Sequence, residues 1–212
     1  MEEGLAPPMK QLVSNAVLSR EALNDRLNRE ELIVSPLLDR EKQVGNGSID
    51  ISLGTKFITS QRSHITQIDP RDLGKENIRQ FQKSRVVGFG HKFTLHPHNF
   101  VLGSTFEFIK MPLDLCGFVL SRSAYGRAGL LIATATYVHP GWQGCLTLEL
   151  ENLGEVPIIL RPLTDIGQLV VMHSMELRDP KKPKTIPVGP AFTTLSKNTR
   201  WAKLDYLETF FR

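Results

Sequence analysis

Cysteine, long apolar runs and a dominant sign of charge are all scarce in this 212-residue chain. Its two cysteines, Cys116 and Cys145, are too few and too far apart for a disulfide scaffold or a cysteine-based zinc site. No stretch approaches the ~18 uninterrupted apolar residues that a membrane helix needs, so no membrane partnership is expected. The start, Met1-Glu2-Glu3-Gly4, lacks the basic segment and apolar run of an export signal, which makes the cytoplasm the expected compartment. Lys and Arg number 26 against 22 Asp and Glu, a net charge of +4 with His neutral. That excess is mild and scattered, so nucleic acid is not an expected partner, whereas phosphate on a small ligand would suit it. A hydrophobic share of 41% excludes a wholly disordered chain.

What is present is punctuation. Sixteen Gly and thirteen Pro fall between short apolar runs, the pattern of an all-β domain rather than a helix bundle. One helix is expected near the start, capped by Ser19, with Glu21 in its first turn and Ala22, Leu23 and Leu27 along one face. After a Gly45-Asn46-Gly47 turn, Ile49, Ile51 and Leu53 alternate with Ser48, Asp50 and Ser52 as in a half-buried strand. Residues 59–85 read as a polar surface excursion. Strands are then expected at 93–95, 100–108, 117–120, 130–135, 145–151, 156–160 and 168–173, the spacing of a sandwich or barrel. Residues 1–178 form the expected domain. Residues 179–212 begin as a Pro/Lys-rich linker and end in a docking helix that carries Trp201, Leu204, Leu207, Phe210 and Phe211.

Two segments carry groups suited to chemistry. The run from Ser121 to Gly129 holds Arg122, Ser123, Gly126 and Arg127, which supply guanidinium, hydroxyl and approachable amide donors of the kind a phosphate ester requires. A polar turn with solvated arginines has the same composition. In Cys145-Leu146-Thr147-Leu148-Glu149-Leu150-Glu151 the leucines point one way and Cys145, Thr147, Glu149 and Glu151 the other. Glu149 therefore has a rigid mount, either for a shielded proton-transferring carboxylate or for a solvent-facing one. Asp50 and Asp165 read as turn or strand-end residues that bond main-chain amides. His91, His96 and His98 lack a third ligand at metal spacing, so no metal site is expected on the protein.

Several separated segments then stand in a telling order. They are Ser48-Ile49-Asp50-Ile51-Ser52-Leu53-Gly54, Leu95-His96-Pro97, Val101-Leu102-Gly103-Ser104-Thr105, Arg122-Ser123 with Arg127, His139-Pro140-Gly141-Trp142-Gln143-Gly144, Leu146-Thr147-Leu148-Glu149 and Ile166-Gly167-Gln168-Leu169. Together they resemble the dCTP deaminase family of the dUTPase-like superfamily, over about residues 17–173. The resemblance implies an all-β, dUTPase-like distorted barrel or jelly-roll with a short N-terminal helix and a C-terminal tail helix, assembled as a homotrimer with sites between subunits. It implies hydrolytic deamination of dCTP to dUTP and ammonia, with magnesium carried on the triphosphate.

By position, Glu149 matches the family's catalytic glutamate, and Ser123 and Arg127 match the serine and arginine that position the water, the glutamate and the phosphates. Arg122, Ala124, Thr134, Ala135, His139 and Gln168 fall at substrate-binding positions. The His-x-Glu and Pro-Cys-x-x-Cys segments of zinc-dependent base deaminases are absent from the sequence, so zinc is not expected and a carboxylate must activate the water.

Three departures qualify this picture. His139 stands where the family has an aspartate, which favours a deaminase that stops at dUTP over a bifunctional one that also releases diphosphate. Ala124 lacks a hydroxyl that many members carry. The family's closing C-terminal segment is replaced by residues 193–200, where Lys197 and Arg200 are the cations able to meet phosphate or simply to be solvated. The alternatives are a dUTP or other deoxynucleoside triphosphate diphosphatase, a bifunctional deaminase-diphosphatase, and a nucleotide-sensing module without chemistry.

Overall fold

The computed structural model describes residues 17–61, 67, 81–133 and 136–174. Thr134, Ala135, Lys197, Arg200, the linker and the tail helix lie outside the described residues. Helix α1 (Arg20–Asn28) starts where Ser19 Oγ accepts the Ala22 N–H at 3.3 Å, and Glu21 sits in its first turn. Leu23 is fully buried, and Ala22 and Leu27 pack against the core. Arg26 pins the helix end by bonding Glu31 and Asp114, each at 2.7 Å.

Strands follow from alternation. β1 (Ile33–Ser35) and a single helical turn, α2 (Arg40–Gln43), precede the long β2 (Ser48–Ser60), which buries Ile49, Ile51, Leu53 and Phe57. Then come β3 (Gln82–Val86), β4 (Phe93–Leu95), β5 (Phe100–Lys110), β6 (Leu115–Ser121), α3 (Ser123–Arg127), β7 (Leu130–Ile132), β8 (Tyr137–Val138), β9 (Gln143–Asn152), β10 (Ile158–Leu160) and β11 (Asp165–His173). Among the described residues the main sheet runs β7-β9-β5-β2-β11-β6-β8, antiparallel throughout, with β1 added to β5 and β3 to β2. β4 and β10 form a separate pair. Register shifts in β2, β5 and β11 curl this sheet around an aliphatic core in which Phe57 stacks on Phe93 at 4.7 Å.

The expected polar excursion over 59–85 is corrected at both ends. β2 continues to Ser60, and Gln82–Val86 pairs with it as an edge strand whose polar, exposed residues gave no apolar alternation to read. The arginine-serine run is also a short helix rather than a turn, and the strand expected over 130–135 ends at Ile132.

One buried side chain fastens the end of β9. Asn152, 0% exposed, donates to Leu95 O at 3.0 Å and Val156 O at 2.9 Å, and its Oδ1 accepts the Gly154 N–H at 2.9 Å. Replacing it by Ala leaves those groups unsatisfied in the interior. A loss of about 2 kcal/mol in unfolding free energy is expected, read as a lower urea midpoint at unchanged slope.

Candidate active site

The turn after α3 is built for close approach. Gly129 has φ +89°, and a Cβ there would meet Gly154 N at 2.9 Å; Leu153 N–H also donates to Gly129 O at 2.8 Å. The chain then enters β7, whose Leu130, Leu131 and Ile132 pair with Asn152, Glu151 and Leu150 of β9. Ala133 extends the pairing by donating its N–H to Glu149 O at 2.8 Å. Fold geometry thus ties the helix carrying Ser123 and Arg127 to the strand carrying Glu149 through one short ladder. Along β9 the residues Leu146, Leu148 and Leu150 are buried while Thr147, Glu149 and Glu151 are half-exposed, so Glu149 stands on the face opposite the core.

Ser123, Ala124 and Arg127 are exposed on α3, and Tyr125 anchors the helix to the core. Burial pushes the Tyr125 hydroxyl above its ordinary range, the Arg122 charge opposing and the Asp165 charge adding. Arg122 occupies the N-cap of α3 without using its side chain as a cap. Its guanidinium turns instead to two carboxylates, with Nη1 3.1 Å from Asp50 Oδ2 and 3.6 Å from Asp165 Oδ2. Gln168 Nε2 donates to Asp50 Oδ1 at 2.9 Å, and Ser52 Oγ donates to Asp165 Oδ1 at 3.2 Å. Asp165 does stand at a strand end, opening β11, while Asp50 lies inside β2. The expected main-chain role is corrected for both, since their carboxylates serve side chains where β2 and β11 lie side by side and turn these positions to one face. Gln168, placed by sequence among substrate-binding residues, engages Asp50 through its amide nitrogen.

His139 belongs to the other end of the strand order. Its ring meets Tyr137 of β8 edge-on at 4.6 Å, and its carbonyl accepts the Trp142 N–H at 3.1 Å in the turn before β9.

Sequence reasoning missed Glu107. This carboxylate is 0% exposed, at the register shift of β5. Its Oε2 accepts the Ser52 N–H at 2.9 Å and its Oε1 accepts from Gln43 Nε2 at 3.4 Å. Burial pushes its carboxyl up to about 7, with the Ser52 hydrogen bonds opposing and the Asp165 charge adding. An acid among the apolar Phe106, Phe108 and Ile109 was the available signal. Among the described residues, no group of three or more His, Cys, Asp or Glu side chains is arranged to hold a metal ion, and no helix is long and apolar enough to cross a membrane.

Comparison with known proteins places the chain in a family and shows its fold. The family model described as dCTP deaminase-like matches residues 17–174. The chain is 40% identical over 178 residues to the dCTP deaminase of Halorubrum lacusprofundi, covering 83% of this chain and 85% of that protein. It is 39% identical over 155 residues to the "dCTP deaminase, dUMP-forming" of Halobacterium salinarum, covering 73% and 78%. Among solved structures, the 2'-deoxycytidine 5'-triphosphate deaminase of Agrobacterium tumefaciens shares the fold, with a TM-score of 0.60 at 19% identity over 76% of this chain and 49% of that one. The curled antiparallel sheet, the order of its motifs and these matches agree, and the chain belongs to the dCTP deaminase-like family.

Proposed function

We propose that this protein deaminates dCTP hydrolytically to dUTP and ammonia. The observation that carries the reading is the short ladder joining α3, with Ser123 and Arg127 exposed, to the strand that holds Glu149. In the proposed reaction Glu149 takes a proton from water as its oxygen bonds to C4 of the cytosine and passes it to N3 as the C4–N3 double bond becomes single. It then carries the remaining hydroxyl proton to the exocyclic amine as the bond from C4 to that amine breaks, leaving ammonia and the C4 carbonyl. Ser123 and Arg127 place the water and the carboxylate, and Arg122 adds positive charge beside them. Ala124, Thr134, Ala135 and His139 complete the proposed contacts to base and sugar. Gln168 acts through Asp50 on Arg122, and Lys197 and Arg200 are the proposed contacts to the outer phosphates.

With Asp50 and Asp165 already engaged by Arg122, magnesium fits as an ion carried on the triphosphate oxygens, where it would neutralise phosphate charge. The proposal includes a homotrimer with sites between subunits, supported by the exposure of Ser123 and Arg127 and of the apolar Leu120, Leu131 and Tyr137. It includes work in the cytoplasm, in keeping with Cys116 and Cys145, which form no disulfide.

A second reading has a specific motive. Relatives such as the Halobacterium protein are named dUMP-forming, so the same site would also release diphosphate. Incubation with dCTP, and separately with dUTP, in magnesium buffer decides between them. Conversion of dCTP to dUTP and ammonia with dUTP left intact is expected from His139 in place of a carboxylate. Appearance of dUMP and pyrophosphate would establish the bifunctional reading, and binding without turnover would leave a nucleotide sensor.

A further inference from the structure

Strand β5 changes partner at one place. Its Gly103 and Thr105 pair with Phe57 and Leu53 of β2, whereas Phe108, Ile109 and Lys110 pair with Ser35, Val34 and Ile33 of β1. Between those two ladders, at Glu107, side chains bridge the neighbouring strands. Glu107 Oε2 receives the Ser52 N–H, and on the β9 side Thr105 Oγ1 receives the Leu146 N–H at 2.9 Å while donating to Glu107 O at 2.9 Å. Among the described residues no cation meets the Glu107 oxygens, and such a buried carboxylate is a costly way to close a sheet, because an apolar side chain would fill the volume without the desolvation. What the carboxylate adds is a fixed Ser52, whose hydroxyl points at Asp165.

We infer that Glu107 is a positioning residue for Arg122: its carboxylate fixes the Ser52 main chain, and the Ser52 hydroxyl fixes Asp165 beside the guanidinium. Asp50, two residues before Ser52 on the same face of β2, holds the guanidinium from the other carboxylate, so both partners of Arg122 depend on how this stretch of β2 sits. Gln43 reinforces the arrangement, since its Nε2 lies 3.4 Å from both Glu107 Oε1 and Asp50 O, while its Oε1 accepts the Asp39 N–H at 3.1 Å. A helix of one turn, the sheet junction and the arginine are thereby linked through contacts that sequence separation hides.

The kinetic part of the test rests on the proposed dCTP activity, and the spectroscopic part does not. In Glu107→Gln at pH 8, the KM for dCTP is expected to rise about tenfold with kcat changed less than about threefold, the scale of one lost hydrogen-bonded contact to a binding group. Ser52→Ala, which leaves the buried carboxylate and its main-chain donor in place, is expected to raise KM comparably, and the double variant no further than either single one. In parallel, the Arg122 Nε–Hε signal of the nucleotide-free protein, assigned by its loss in Arg122→Lys, is expected to shift or broaden in both variants. If the wild-type protein does not turn over dCTP, the functional reading fails and the Arg122 signal alone decides. If Glu107→Gln does not fold, Ser52→Ala carries the test. A folded Glu107→Gln or, failing that, a Ser52→Ala with wild-type KM and an unmoved Arg122 signal overturns the inference, as would strictly additive effects of the two.

Discussion

Glu149→Gln is expected to lower dCTP turnover by at least about a hundredfold while nucleotide affinity stays within a few-fold of wild type. The substitution keeps the shape and one acceptor oxygen but removes the group that takes up and returns a proton. Glu149 sits mid-strand in β9, flanked by the buried Leu148 and Leu150 and with its carbonyl held by Ala133, so the side chain at this position has little freedom to be replaced by a neighbour. Thr147 and Glu151 share its face. Glu151 is the one alternative carboxylate there, and Glu151→Gln is expected to leave kcat nearly unchanged. Single-turnover ammonia release, read beside equilibrium binding of dCTP, separates loss of chemistry from loss of binding. Near-wild-type ammonia release from Glu149→Gln would remove this residue from the mechanism and take the carboxylate-only activation of water with it.

The parts of the molecule that were legible in the sequence are those governed by local rules. The Leu146, Leu148, Leu150 alternation fixes which face Glu149 occupies, and β9 is buried and exposed in that order. Ser19 caps α1 because a hydroxyl before a helix finds an unsatisfied amide within three residues. β3 escaped because Gln82, Lys83, Ser84 and Arg85 on an exposed sheet edge need no apolar face. The Arg122 cluster escaped for a different reason. Asp50 lies 72 residues from Arg122, and Gln168 lies 118 from Asp50, so nothing but the β2–β11–β6 strand order brings them together. Glu107 was hidden by the register shift itself: strict alternation cannot show a strand that changes partner and supplies a carboxylate where a carbonyl would stand.

Folding stability is expected to fall as pH rises from about 5 to 8, and Glu107→Gln is expected to remove most of that fall. The sign follows from proton binding. Glu107 titrates at about 7 in the folded protein against an ordinary 4.5, so between those values the folded state holds a proton that the unfolded chain has released. Raising the pH through this window therefore favours the unfolded state until the folded carboxyl also ionises, near pH 7, after which the penalty is constant. The two values correspond to roughly 3 kcal/mol in full, of which about 2–3 kcal/mol develops between pH 5 and pH 8. Desolvation in the closed core is the main cause; the facing charge is Asp165, which opposes ionisation, with Asp50 and Arg122 paired just beyond it. Gln carries no charge to bury, but its single oxygen serves only one of the two donors, the Ser52 N–H and Gln43 Nε2, that the carboxylate accepts. Urea unfolding of both proteins at pH 5 and pH 8 isolates the term, since other titrating groups cancel in the difference. The variant should gain about 2–3 kcal/mol on wild type between the two pH values even as it binds dCTP less well. That divergence sets a carboxylate kept for the placement of Arg122 apart from one kept for the stability of the sheet, and a pH-independent difference between the two proteins would show that Glu107 is not ionising in this range.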